Sequence, residues 1–171
     1  MDVYTCIRTK RDTRLYVDTP IPEESLRRIL QAGRMAGSSK NSQPCRFVVL
    51  EDAAKKNQLA ACGHYAQHLP YAPVVVAIVL PQNGSDFDAG RAAQNMMIAA
   101  WAEGITSCPT SMHDADCAWR VLGLPDGYRV AIVLPFAYPS PSGPKSRGLA
   151  RIPLEDLVHR GGWSDRPSAD R

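Results

Sequence analysis

Lys10-Arg11-Asp12-Thr13-Arg14 and Gly37-Ser38-Ser39-Lys40-Asn41-Ser42-Gln43-Pro44 are the stretches that decide the reading of this chain. The first sets three cations within five residues. The second is a run of small and amide side chains between an amphipathic helix pattern and a hydrophobic strand pattern. Arg binds phosphate in a bidentate manner. Small residues let backbone N–H groups face a ligand, and Asn41 offers both donor and acceptor. Taken singly, the first stretch is equally a solvated basic turn, and the second equally a helix C-cap and loop. Taken together, they suit a flat, hydrogen-bonding ligand that carries a phosphate.

The 171 residues are most simply one domain with a single core. With 44% hydrophobic and 22% charged residues the composition is that of a globular protein. A net charge of +3 is too small for a nucleic-acid partner. The cations gather at residues 8–14 and 145–151, two clusters that can meet around one anion. The N-terminus lacks an apolar leader, and the longest apolar run, Pro73 to Pro81, is strand-sized, so no membrane partner is expected. Five cysteines, with no Cys-x-x-Cys spacing, point to reduced thiols and a cytoplasmic location.

Along the chain, residues 2–10 read as a short helix that delivers the cationic segment. Pro22 opens a second helix with Glu23 and Glu24 in its first turn and a stripe of Leu26, Ile29, Leu30 and Gly33, ended by Gly37. Phe47 to Leu50 is strand-like, and Asp52 caps a helix to about Cys62. Val74 to Leu80 is a continuous β-branched run, the pattern of a strand buried on both faces. Asp88 starts the strongest helix, reaching Glu103 and apolar over most of its circumference. Ile105 to Cys108 is a short strand, Asp114 to Leu122 a helix closed by Gly123, and Val130 to Phe136 the last strand. Tyr138 to Pro144 is extended, Pro153 to His159 forms a helical turn, and Gly161 to Arg171 is a polar tail. Residues 1–160 form the domain.

Neither a Walker A loop nor a Gly-x-Gly-x-x-Gly turn is present, and no Ser-His-Asp or Cys-His pattern marks a protein nucleophile. His64 and His68 stand at i, i+4 without a third ligand, so a solvated helix face is expected and no metal site. Cys108 has no base beside it and is expected to pack rather than react. His113 is read either as an ordinary loop histidine or as a residue touching substrate.

The ordered segments Lys10 to Tyr16, Ala36 to Cys45, Asp88 to Met96, Gly104 to Cys108 and Arg151 to His159 resemble the signature of the FMN-dependent nitroreductase family. Alternation of helices and strands alone suggests a parallel α/β sheet. The resemblance instead implies an α+β fold, with a central mixed sheet flanked by helices and an intertwined homodimer. It implies bound FMN, NAD(P)H as reductant and reduction of nitro compounds, quinones or similar small-molecule acceptors. It places Lys10, Arg11, Asp12 and Arg14 on the flavin and its phosphate. Gly37, Ser38, Ser39 and Asn41 then line the cofactor from the partner side. Cys108, Pro109, Thr110 and Ser111 pass beside the ring, and Arg151 closes on the phosphate. The flavin carries the chemistry, so no catalytic side chain is expected.

Three positions depart from the family pattern: Asp12 stands for Ser, Cys45 for Trp and Gly37 for Pro. Asp12 also occurs in the related dimethylbenzimidazole synthases, which consume flavin with oxygen, and its anion would need neutralising by Arg11 or Arg14. Little chain separates Leu80 from Asp88, where relatives often insert a lid. Oxygen-dependent flavin chemistry and flavin storage are therefore the alternative readings.

Overall fold

The computed structural model describes residues 1–142 and 150–163. Lys145 and Arg147 of the second basic cluster, and residues 164–171 of the tail, lie outside the described residues.

Val74 to Pro81 forms β3, the strand on which the two cores are built. Successive side chains of a strand point to opposite faces. Val74, Val76, Ile78 and Leu80 accordingly enter one core with Leu26, Ile29, Ala92 and Met96. Val75, Ala77 and Val79 enter a second with Leu59, Leu69, Ala118 and Leu124. The run is continuous because helices cover both faces of the sheet. Each fully buried Ile or Leu contributes roughly 1.5–3 kcal/mol.

Strand β3 pairs antiparallel with β2 (Arg46–Leu50) on one side and β5 (Tyr128–Pro139) on the other. The outer face of β5 is shared by β1 (Tyr16–Val17) and β4 (Thr106–Ser107), both antiparallel. The fold is thus α+β, as the resemblance implies. All its ladders among the described residues are antiparallel, and the sheet is mixed only through an isolated parallel bridge between Asp12 and Ser107. The parallel sheet that alternation suggests does not form, because burial on both faces carries no information on strand direction.

On one face lie α2 (Glu23–Arg34) and α4 (Asp86–Ala102); α3 (Ala53–Ala60) and α5 (Ala115–Leu122) lie on the other. Gly33 lets α2 press against α4: a Cβ there would stand 2.9 Å from Met96 Cγ and 3.1 Å from Phe47 Cζ. Arg28 and Ser25 of α2 bind the Glu103 carboxylate just beyond the end of α4, at 2.6 Å for both Arg28 Nε and Ser25 Oγ. These bonds hold Glu103 below the usual carboxylate range.

Helix α4 begins two residues before the expected Asp88, because the Ser85 hydroxyl accepts from Phe87 N and caps it. Helix α2 ends at Arg34, ahead of Gly37. Asp52 and left-handed Gly123 cap their helices as expected, and Asp114, read as the first helical residue, is the N-cap of α5. Helix α1 (Val3–Thr9) delivers the cationic segment, held to α4 where Trp101 Nε1 donates to Thr9 Oγ1 at 2.9 Å. A short α6 (Leu154–Leu157) ends the described chain.

The expectation of five reduced thiols is corrected. Cys62 and Cys117 are joined in a disulfide across 55 residues, with Cys6, Cys45 and Cys108 free. No sequence motif announces the pair; the packing of α3 on α5 brings the two together. His64 and His68 do not share a helix face, since Gly63 to Leu69 forms turns. Among the described residues no group of metal-ligating side chains occurs, and no helix is long and apolar enough to cross a membrane.

Candidate functional site

The Asp12–Ser107 bridge joins the cationic segment to the turn that follows β4. Thr106 Oγ1 also donates to Arg11 O at 3.5 Å. Residues 10–14 and 107–111 therefore form one site at the edge of the sheet. Lys10 is an ion partner of Asp12, and its ammonium also donates to Met97 Sδ of α4 at 3.4 Å. The partner of Asp12 is thus Lys10, not the expected Arg11 or Arg14. Arg11 turns back on α1, donating to Arg8 O at 3.0 Å and Lys10 O at 2.8 Å. Arg14 is exposed and lies against the Cys108 thiol. Burial pushes that thiol up despite the nearby guanidinium, which agrees with the expected packing role.

The turn itself is rigid. Thr110 exchanges both backbone hydrogen bonds with Val133 of β5, at 2.8 and 3.0 Å. Its hydroxyl donates to Cys108 O at 3.0 Å and lies 3.1 Å from Nε2 of buried His68. Burial first, and then the Arg14 cation, push the His68 imidazole below its ordinary range.

Two hydroxyls at this site are buried without a partner among the described residues: Tyr16 Oη and Ser107 Oγ. Burial drives the Tyr16 phenol well above its usual range. An unsatisfied buried polar group costs about 1–3 kcal/mol, so native structures retain such groups where something else completes them. Orphaned hydroxyls beside the cations Lys10, Arg11 and Arg14 fit a cofactor that presents a hydrogen-bonding edge and an anion. Tyr16 and Ser107 were not among the residues expected at the site. The signal for Tyr16 is its place in the segment Arg14-Leu15-Tyr16, where the family pattern carries Phe.

The loop of Gly37 to Pro44 is placed elsewhere, against the first turns of α4. A Cβ on Gly37 would stand 2.6 Å from an Arg91 guanidinium nitrogen, so the Arg91 head lies directly against the loop. Lys40, Asn41 and Gln43 hold φ of 51°, 53° and 49°. Such left-handed residues are uncommon outside Gly and tend to cluster where a ligand is held. Ser38 Oγ accepts from Gln43 N at 2.8 Å, which fixes the loop. No hydrogen bond or ion pair among the described residues links Gly37, Ser38, Ser39 or Asn41 to residues 10–14. Arg151 is likewise exposed, with no described partner. One chain thus assembles residues 10–14 with 107–111 and leaves the loop and Arg151 apart.

The fold is α+β, and it gathers a cationic segment and the turn after β4 at the edge of an antiparallel sheet. The nitroreductase family model matches residues 7–78 and 61–138. The chain belongs to that family. A putative NADH dehydrogenase/NAD(P)H nitroreductase of Archaeoglobus fulgidus is 26% identical over 168 residues, covering 92% of this chain and 96% of the relative. An NADPH-flavin oxidoreductase of Vibrio harveyi is 27% identical over 179 residues, covering 93% of this chain and 73% of the relative. Among solved structures, a putative nitroreductase from Desulfovibrio desulfuricans in complex with FMN superposes with a TM-score of 0.83 at 28% identity. It covers 96% of this chain and 99% of that one.

Proposed function

We propose that this protein is an FMN-dependent NAD(P)H oxidoreductase that reduces quinones, nitro compounds or similar electron-poor acceptors. The observation that carries the reading is the bridge from Asp12 to Ser107, which gathers cations and two orphaned hydroxyls in one site. The FMN complex of a 28% identical protein and the names of the NAD(P)H-dependent relatives support it. Bound FMN would accept two electrons from NAD(P)H and pass them to the acceptor. Arg14, beside Cys108, serves the ring's pyrimidine edge. Arg11 and Arg151 serve the phosphate, and Lys10, paired with Asp12, lies toward the ring. Tyr16 and Ser107 offer hydroxyls to the cofactor, and the clamped turn from Cys108 to Ser111 passes beside the ring.

The working unit in this proposal is a cytoplasmic homodimer, in which the loop of Gly37, Ser38, Ser39 and Asn41 completes the partner's site. Helix α1 exposes Met1, Val3, Tyr4 and Ile7, and the C-terminal arm exposes Ile152, Leu154, Leu157 and Trp163, the last at 85%. Large exposed apolar patches mark interaction surfaces. The apolar circumference of α4 is by contrast largely absorbed by α2 within one chain.

The test is the absorption spectrum of the purified protein, with the flavin identified after heat release, followed by NAD(P)H oxidation with menadione. A protein that is colourless and takes up no added FMN, or one whose bound flavin is not reduced by NADH or NADPH, overturns the proposal.

A further inference from the structure

Beyond the clamped turn, the chain builds a second feature that the cofactor site does not use. Gly63 packs so closely on the end of the turn that a Cβ there would stand 3.1 Å from Ser111 O, 3.1 Å from Met112 Cε and 2.8 Å from Ala66 Cβ. Cys62 O accepts from both His113 N and Asp114 N at 3.0 Å, and the Cys62–Cys117 disulfide ties the same two segments. On this stapled base the exposed rings of His64 and His113 stack, with centroids 4.1 Å apart and planes 19° apart. Tyr65 meets His113 edge-on at 5.9 Å.

The hydrogen bonds also assign a tautomer. His64 N donates to His113 Nδ1 at 3.1 Å, so Nδ1 carries a lone pair. A neutral imidazole has one donor and one acceptor nitrogen, which puts the proton on Nε2. That N–H has no partner among the described residues. The imidazole therefore presents its Nε2–H outward as a hydrogen-bond donor. It stands two residues beyond Ser111, at the end of the turn placed beside the flavin.

We propose that His113 Nε2–H donates to the carbonyl or nitro oxygen of a planar aromatic acceptor, with His64 and Tyr65 fixing the imidazole. The inference rests on the oxidoreductase reading above and deepens it by naming an acceptor contact. For a quinone the balance is NAD(P)H plus a proton plus quinone giving NAD(P)⁺ plus hydroquinone, with the proton drawn from water. His113 keeps its own proton. Its bond strengthens as negative charge gathers on the acceptor oxygen, so it favours the transition state over the ground state.

The experiment compares wild type, His113→Phe, which retains a stacking ring, and His113→Gln, which retains an N–H donor. Nitrogen-15 NMR of the wild type should show His113 as the neutral Nε2–H tautomer. Equilibrium binding of 1-acetonaphthone and of 1-ethylnaphthalene, of matching shape, is read from the flavin spectrum. His113→Phe should lose about tenfold in ketone affinity and little in hydrocarbon affinity, with FMN affinity unchanged and His113→Gln recovering part of the loss. Reoxidation of the reduced enzyme by menadione should slow about tenfold, while reduction by NAD(P)H and reoxidation by ferricyanide, which has no such oxygen, stay constant. Equal loss of ketone and hydrocarbon binding, no loss of either, or an Nδ1–H tautomer overturns the inference and leaves the functional reading standing. A wild-type protein without flavin overturns that reading, and this inference with it.

Discussion

Lys10 and Asp12 neutralise one another inside the cationic segment, and the pair is anchored at both ends. Lys10 donates to Met97 of α4, and Asp12 bridges to Ser107. The Lys10 side chain, only 10% exposed and paired with Asp12, therefore gives the site less net positive charge than its sequence suggests. Replacing the half-exposed Asp12 by Ser should release that charge. Reduction places negative charge on the flavin, so the Asp12→Ser enzyme should have a midpoint potential higher by roughly 10–30 mV, about 0.5–1.4 kcal/mol for two electrons. Dye-equilibration titration of both proteins measures it. An unchanged or lowered potential would place the pair away from the ring.

Arg14 and Arg151 separate by ligand. Arg14 lies against Cys108, in the turn assigned to the ring, whereas Arg151 is exposed on the C-terminal arm. A charge-assisted hydrogen bond contributes about 1.5–3 kcal/mol, or roughly ten- to a hundredfold in affinity. Arg14→Ala should weaken FMN and riboflavin alike, while Arg151→Ala should weaken FMN alone. Fluorescence titration of apoprotein with the two flavins reads this out, and selective loss of FMN in Arg14→Ala would move that residue to the phosphate.

The Cys62–Cys117 bridge closes a loop between α3 and α5. For loops of this length a disulfide contributes about 2–4 kcal/mol by restricting the unfolded chain. Reduction by dithiothreitol, or Cys117→Ser, should lower the melting temperature by about 5–15 °C. Flavin absorbance, which reports the site directly, should change little at 25 °C. Identical melting curves with and without reductant would show that the two thiols are not bridged in solution.

Gly63 has little room to change. Its missing Cβ faces Ala66 Cβ at 2.8 Å and a backbone carbonyl at 3.1 Å, and neither is the far end of a flexible chain. Gly63→Ala should destabilise by about 1–3 kcal/mol, the usual cost of overpacking, as read by urea denaturation. A neutral effect would show that the 61–66 turn shifts freely over Ser111.

Much of this was legible in the sequence, and the failures have distinct causes. Helix caps at Asp52 and Gly123 are local chemistry, and they form as read. The continuous apolar run of β3 correctly announces two-sided burial. It does not announce antiparallel pairing, because strand direction depends on connections distant in sequence. The cationic segment and the Cys108 turn meet through the Asp12–Ser107 bridge. The pairing of Lys10 with Asp12, rather than of Arg11 or Arg14, turns on side-chain reach around one turn. The Cys62–Cys117 pair, the His64–His113 stack and the orphaned Tyr16 hydroxyl arise only from tertiary packing.

His68 should set the acid limit of stability. It is buried, and burial together with the Arg14 cation depresses its pKa below the ordinary value of 6.5. Near and below pH 6.5 the unfolded chain binds a proton that the folded chain still refuses. The unfolded state then holds more protons, so stability rises with pH in this window and falls as the solution is acidified. The loss should begin below about pH 6.5 and level off only once the folded imidazole itself titrates. Glu103 adds a second loss at lower pH. Its folded pKa is depressed below 4.5 by Arg28 and Ser25, so its contribution is complete above that value and disappears as pH falls through the folded pKa. Urea unfolding of wild type and His68→Gln between about pH 3 and 8 distinguishes the two groups. Gln keeps an N–H that can donate to Thr110 Oγ and does not titrate. The variant should therefore show a flatter profile between pH 5 and 6.5 and the same decline below 4.5. Parallel profiles over the whole range would mean that His68 titrates alike in the folded and unfolded chains, and that its imidazole is open to water.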